Sequence, residues 1–222
     1  MHWVTVAHEF ISDWMQDAGV VTAVLGIWLT TRRNLLCWPV VLISDLLYLM
    51  VFYRVRLYSD ALLQIFFLIF TIYGWWYWWR GVRAEGEVRV VRLGAAGLWT
   101  GLAAGAVGSV LLGLLMERIG AALPRLDATL MSYSLLATWW QTRKHIANWW
   151  LWIAVDVVYI GEYLYKGLQP TAVLYAGLVV LAVLGWRDWQ RAVQAGAPGE
   201  SLSRDGGNGL GGDQRGQESG SA

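Results

Sequence analysis

Residues 139–165 read WWQTRKHIANWWLWIAVDVVYIGEYLY. From Ala147 to Tyr165 the stretch is almost wholly apolar or aromatic. Its length is near the ~20 residues a helix needs to cross a bilayer core of ~30 Å. Residues 139–165 hold five tryptophans, and Asp156 lies deep among valines and isoleucines. Trp149, Trp152, Asp156, Tyr159 and Tyr163 recur at steps of three and four, which puts them on one face of a helix.

This skeleton occurs twice. Subtracting 111 from each number pairs Trp139 with Trp28, Thr142 with Thr31, Arg143 with Arg32, and Trp149 with Trp38. Asp156 meets Asp45 and Tyr159 meets Tyr48. Further on, Gly185, Trp186, Trp189 and Arg191 meet Gly74, Trp75, Trp78 and Arg80. No gap is needed between Leu25–Arg80 and Leu136–Arg191. Leucine matches carry little information in an apolar chain, but matched Trp, Asp, Gly and Arg carry much.

The rest of the chain has the same character. Of 222 residues, 57% are hydrophobic and 15% charged, whereas soluble domains carry about a quarter charged residues. Charged or Gly/Pro-containing breaks divide it into seven spans, near 12–31, 36–53, 57–79, 93–116, 126–142, 147–165 and 168–189. The spans are continuously apolar rather than alternating, which excludes a membrane β-barrel. Pro39, Pro124 and Pro170 fall near proposed helix starts, where a missing N–H costs little. A net charge of +1 gives no sign of a nucleic-acid partner. The single cysteine, Cys37, excludes an intramolecular disulfide and a cysteine-based zinc site. The opening MHWVTVAHEFISDWMQD has no basic leader and does not read as a secretory signal. The Gly/Ser-rich end of the chain reads as a disordered tail.

The expected organisation is an all-α membrane protein of seven transmembrane helices. Residues 1–11 form an N-terminal segment, 12–80 repeat 1, 81–121 a linker helix with its loops, 122–192 repeat 2, and 193–222 the tail. The two three-helix copies begin four spans apart. Four is even, so they run in parallel, related by a pseudo-two-fold axis along the membrane normal. The fourth span restores the orientation. Its Gly97, Gly101 and Gly105, followed by Ser109 and Gly113, make a smooth ridge for close helix packing and nothing more. Loops on one side hold Arg32, Arg33, Arg80, Arg83, Arg89, Arg92, Arg143, Lys144, Arg187, Arg191, Arg204 and Arg215. The other side holds Arg54, Arg56, Arg118, Arg125 and Lys166. Twelve against five places the first side in the cytoplasm, with the N-terminus outside and the C-terminus inside.

Several residues invite a chemical reading. An aspartate at bilayer depth costs ~2.5–3.5 kcal/mol on insertion scales and needs a cavity, a partner or a proton. Asp45 and Asp156 therefore either lock the helix interface or gate a site there. Asp60, Gln64 and Thr71 share a face of span three, and Tyr175 is the counterpart of Gln64. Gln64 either glues helices or reads a ligand's hydroxyl or amide groups. Aromatic residues near span ends usually form the interfacial belt, and that reading covers Trp75 to Trp79, Trp186 and Trp189. It suits Trp152 less, because that residue lies below the first turn on the aspartate's face. His145 reads as a loop histidine, and TTRRN and QTRKH as ordinary basic loops. There is no HExxH, no phosphate loop and no nucleophile–base set, so neither an enzyme nor a cofactor or metal is expected. Indole faces attract flat and especially cationic rings.

The segments LCWPVVLISDLLYLMVFYRVRLYSDALLQIFFLIFTIYGWWYW and RKHIANWWLWIAVDVVYIGEYLYKGLQPTAVLYAGLVVLAVLGWRDW resemble the two halves of PnuC-type vitamin transporters. The likeness covers about residues 12–192. It implies a 3+1+3, SWEET-like arrangement in a bacterial inner membrane. The implied activity is facilitated uptake of nicotinamide riboside by alternating access around a midplane aromatic site. Relatives in the family carry thiamine, riboflavin or deoxynucleosides. The resemblance implies substrate contacts at Gln64, Trp139 or Trp140, Asn148, Trp149, Trp152 and Tyr175. Asp45, Asp156 and Trp38 are left to structure or gating. Cys37 stands where repeat 2 has Asn148, which implies an asymmetric pocket. The implied partners are a small-molecule substrate and the lipid bilayer, and a homo-oligomer is compatible with the sequence. A membrane scaffold without cargo is the alternative of a different class.

Overall fold

The computed structural model describes residues 2–54, 58–118, 124–165, 167 and 169–195. Seven helices are found among them: α1 His2–Thr31, α2 Cys37–Arg54, α3 Tyr58–Glu85, α4 Ala95–Arg118, α5 Pro124–Thr142, α6 Ala147–Tyr165 and α7 Gln169–Ala195. They match the seven apolar spans, but three of them run on. α1 begins at His2, α3 continues to Glu85 and α7 to Ala195, because polar residues satisfy a helix as well as apolar ones do. The segment read as a disordered tail lies outside the described residues beyond Ala195, and so does the Asp60 side chain. Pro124 opens α5 at the position where its missing N–H is not needed.

Among the described residues, four helices are long and apolar enough to cross a membrane by length and composition alone: Cys37–Arg54, Ala61–Glu85, Ala95–Arg118 and Thr171–Ala195. α5 and α6 carry more polar and amphipathic side chains, including Ser132, Ser134, Thr138, Asn148 and Asp156, and these are buried against neighbours. In the chain, α1 packs on α2, α2 on α3, α5 on α6 and α6 on α7, and the halves meet where α3 touches α5 and α1 touches α7.

The two halves end their first helices in the same way. Arg33 and Lys144, 111 apart, both adopt positive φ, of 56° and 63°. After α1, the Asn34 N–H reaches the Leu29 carbonyl at 3.0 Å and the Arg33 N–H the Thr30 carbonyl at 3.0 Å. After α5, His145 reaches Trp140 at 2.9 Å and Lys144 reaches Gln141 at 2.9 Å. These paired bonds satisfy the last carbonyls of each helix and turn the chain sharply into the next one.

Four fully buried indoles join the halves. Trp38 meets Trp78 edge-on at 5.2 Å and 85°, and Trp149 meets Trp189 at 5.4 Å and 89°. Trp78 and Trp189 then touch each other at 5.8 Å. The Trp78 indole N–H donates across the interface to the Gln141 and Thr142 carbonyls at 3.3 and 3.1 Å. The Trp189 N–H donates to the Thr30 carbonyl at 3.0 Å. Trp78 and Trp189 are both 0% exposed. They are core residues, not members of the lipid-facing belt, whereas Trp75, Trp76 and Trp79 are exposed. Each pair also needs a glycine. A Cβ on Gly74 would fall inside the Trp38 ring, and one on Gly185 would lie 2.5 Å from Cζ2 of Trp149.

α4 stands apart from this pattern and packs on α5. Its glycines receive α5 side chains: Gly101 faces Trp140, Gly105 faces Tyr133 and Gly108 faces Ser132. Ser132 Oγ donates to the Gly105 carbonyl at 2.8 Å, and Tyr133 to that of Leu102 at 3.2 Å. Its other side exposes Trp99, Val110, Leu111, Leu114 and Leu115, an apolar surface suited to lipid. Between α3 and α4 the chain lays Val88 and Val90 onto the indole cluster. It then pairs Val91 with the α5–α6 turn, through Val91 N–H to Lys144 O at 3.0 Å and Ile146 N–H to Val91 O at 3.1 Å.

Gly185→Ala is expected to lower the melting temperature of the purified protein in detergent, since overpacking a tight core costs ~1–3 kcal/mol. Gly177→Ala on the same helix, where a Cβ meets nothing within 4 Å, should leave it unchanged or raised. Equal melting of the two variants would contradict the packing described.

Candidate functional site

A cavity of about 290 Å³ lies between the halves. It is lined from α1, α2, α3, α5, α6 and α7, and α4 contributes nothing. On α2 the lining residues include Trp38, Val41, Asp45 and Tyr48, with Ser44 beside them, and on α6 they are Trp149, Trp152, Asp156 and Tyr159. Steps of three and four keep each set on a single helical face.

The lining follows the sequence repeat closely. Of its twenty-one residues, twenty fall into ten pairs separated by 111, and Ser44 is the exception. Three pairs are identical: Trp38 and Trp149, Asp45 and Asp156, Tyr48 and Tyr159. The others differ. Ala23, Ile27, Thr30 and Val41 of the first half correspond to Ser134, Thr138, Gln141 and Trp152. Gln64 and Thr71 correspond to Tyr175 and Ala182. The frame is duplicated and the contents are not.

The two aspartates show the consequence. Asp45 is held from α3: Gln64 Nε2 donates to its Oδ1 at 3.2 Å, and Thr71 Oγ1 to its Oδ2 at 2.7 Å. Ser44 beside it donates to the Gly19 carbonyl at 2.9 Å and ties α2 to α1. Asp156, with Ala182 where Asp45 has Thr71, receives no hydrogen bond from any described residue. On the second half the ordering falls to the aromatic side chains. Trp152 donates its indole N–H to Gln141 Oε1 at 3.3 Å. Tyr175 packs against Tyr159 and Tyr163 at 4.9 and 5.1 Å.

Of the residues implicated by sequence, Gln64, Trp149, Trp152, Tyr175, Asp45, Asp156 and Trp38 all line this one cavity. Trp139, Trp140 and Asn148 lie outside its lining. Trp139 stacks on Tyr73 at 5.7 Å and 13°, with the Arg143 guanidinium 4.9 Å from its ring. Trp140 fills the notch at Gly101. Asn148 is fully buried, and its Nδ2 donates to the His145 carbonyl at 2.6 Å. His145 itself lies in the turn between α5 and α6, where burial, and then Arg143, push its pKa below the ordinary histidine value. Sequence reasoning missed Ser134, Thr138 and Gln141. They form an i, i+4, i+7 stripe on α5, a helical signal that the surrounding tryptophans masked.

Among the described residues, the only charged side chains in the lining are the two carboxylates. Nothing there offers a cation to a phosphate, and most of the wall is aromatic or aliphatic.

A bundle of apolar helices enclosing such a cavity defines a helical membrane protein with a small-molecule site. The family model described as "Nicotinamide mononucleotide transporter" matches residues 13–191, and the chain belongs to that family. It is 26% identical over 203 residues to the nicotinamide riboside transporter PnuC of Escherichia coli, covering 80% of this chain and 85% of that one. It is 30% identical over 213 residues to the riboflavin/roseoflavin transporter RibM of Streptomyces davaonensis, covering 89% of this chain and 100% of that one. The crystal structure of the vitamin B3 transporter PnuC superposes with a TM-score of 0.69 at 23% identity, over 87% of this chain and 88% of that one. The protein is thus a vitamin-family membrane transporter and not an enzyme.

Thr71→Val removes one donor from the buried Asp45 carboxylate and is expected to cost ~1.5–3 kcal/mol, the range for hydrogen bonds to charged groups. Thr71→Ser should recover most of it. Thermal melting in detergent reads both, and a valine variant as stable as wild type would contradict the lock.

Proposed function

We propose that the protein is a facilitator for nicotinamide riboside. The observation that carries this reading is the cavity wall: indole and tyrosine faces, two carboxylates and no cation. A flat cationic ring suits the aromatic faces and the negative charge. The ribose suits the hydroxyl and amide groups of Gln64, Thr138 and Gln141. A phosphate suits nothing there, which favours the riboside over the mononucleotide. The volume of about 290 Å³ lies just below the usual range of ligand pockets, ~300–1,000 Å³, and favours a ligand with one small flat ring over one with a large fused ring system.

The proposed architecture is 3+1+3. Residues 12–80 and 122–192 are two parallel copies, 81–121 is the linker, and the pseudo-two-fold axis passes through the cavity. The ten lining pairs, the matching helix caps and the matching indole pairs all support it. Transport then consists of rocking the copies about the shared site, with no coupled ion. Trp139, Trp140 and Asn148 act from behind the wall, on the packing of α5 and α6. The protein sits in the bacterial inner membrane with its N-terminus outside and its C-terminus in the cytoplasm, following its basic loops.

Riboflavin is the second reading. It is favoured by the RibM relative, which this chain matches over its full length, and opposed by the small cavity. Tryptophan-fluorescence titration of the purified protein with nicotinamide riboside, its mononucleotide, thiamine and riboflavin separates these. The riboside should saturate most tightly, with the mononucleotide roughly tenfold or more weaker, since a phosphate would enter without a partner. A tighter response to the mononucleotide, thiamine or riboflavin would overturn the assignment. In proteoliposomes, the initial uptake rate should be the same with and without an ionophore, and a marked fall would contradict the uncoupled mechanism.

A further inference from the structure

Asp45 and Asp156 occupy equivalent places on α2 and α6 and face one cavity, but their surroundings have diverged. Both Asp45 oxygens are taken, one by Gln64 and one by Thr71. At the equivalent places around Asp156 stand Tyr175 and Ala182. Alanine has no donor. Tyr175 lies within electrostatic reach of Asp156 without a hydrogen bond to it. Asp156 is 5% exposed, so bulk solvent does not serve it from outside.

A buried carboxylate at bilayer depth needs a counter-charge, a donor or a proton. Asp45 has its donors within the protein, whereas Asp156, with no donor among the described residues, is open to what enters the cavity. Its neighbours on the same helical face are Trp152, one turn before it, and Tyr159, one turn after it. A planar ring resting on either of them lies beside the carboxylate.

We infer that the two copies have divided one ancestral role: Asp45 is a structural lock, and Asp156 is the counter-ion for a positively charged ring in the substrate. This deepens the carrier reading above and rests on it. Asp156 then selects for charge as well as shape. The cationic oxidised riboside is favoured over its uncharged dihydro form, although the two have nearly the same outline. Asp45 contributes little to that choice, because its oxygens stay with α3 whether or not the site is loaded.

The test compares wild type, Asp156→Asn, Asp45→Asn and Ala182→Thr by fluorescence titration with nicotinamide riboside and with its neutral dihydro form, and by thermal melting. Asp156→Asn should weaken the cationic riboside by roughly tenfold or more, as loss of one partner of a buried charge pair does. It should affect the neutral form far less and keep wild-type melting. Asp45→Asn should lower the melting temperature and preserve the preference for the cation. Ala182→Thr gives α7 the hydroxyl that Thr71 gives α3, so it should weaken the cationic riboside with Asp156 still in place. Equal losses for both forms in Asp156→Asn, or none for either, would overturn the inference and leave the carrier reading standing. If wild type instead binds thiamine, the riboside assignment fails and the same variants decide the role of Asp156 on that cationic ring. If wild type binds riboflavin, or none of the four compounds titrated above, both readings fall.

Discussion

Two indole N–H groups hold the halves of this molecule together. Trp78, near the end of α3, reaches the last carbonyls of α5, and Trp189, near the end of α7, reaches that of Thr30 on α1. In a bilayer the lipid tails are as apolar as leucine, so helix association depends on close packing and on polar contacts. The indole pairs supply both. Each needs a glycine beneath it, at Gly74 or Gly185. The same contacts are made in each half, and the cavity between the halves is lined by residues that pair at a separation of 111.

Duplication creates an even frame, but a nutrient is not symmetric. The lining resolves this by keeping Trp, Asp and Tyr on the two central helices and changing the rest. The first half holds the donors that tie up its aspartate. The second has Trp152 and Tyr175 where the first has Val41 and Gln64, which enlarges the aromatic wall, and Gln141 accepts from the Trp152 indole. The strap through Val88 and Val90 adds a further asymmetry, since it pairs with the α5–α6 turn.

Much of this was legible in the sequence, for physical reasons. Seven helices follow from run length, and the internal copy follows from matched Trp, Asp, Gly and Arg. The face of α6 follows from helical spacing. Trp78 and Trp189 were misread because composition cannot tell an indole that faces lipid from one buried between helices. Their place one turn after Gly74 and Gly185 was the available clue. The α5 stripe was hidden because Trp139 and Trp140 draw attention to a stretch whose lining residue is their neighbour Gln141. One of them packs on Tyr73 and the other on Gly101. The unlike surroundings of the two aspartates needed three dimensions, although Ala182 in the place of Thr71 was visible in the repeat register.

We propose that one flat ligand sits between the two halves and takes its contacts unequally from them. An experimental structure with nicotinamide riboside bound tests this most directly. The ring is expected against Trp152 or Tyr159 beside Asp156, with Asp45 still bonded to Gln64 and Thr71. A ligand outside the paired lining, or an Asp156 satisfied by protein donors while the ring lies elsewhere, would contradict it.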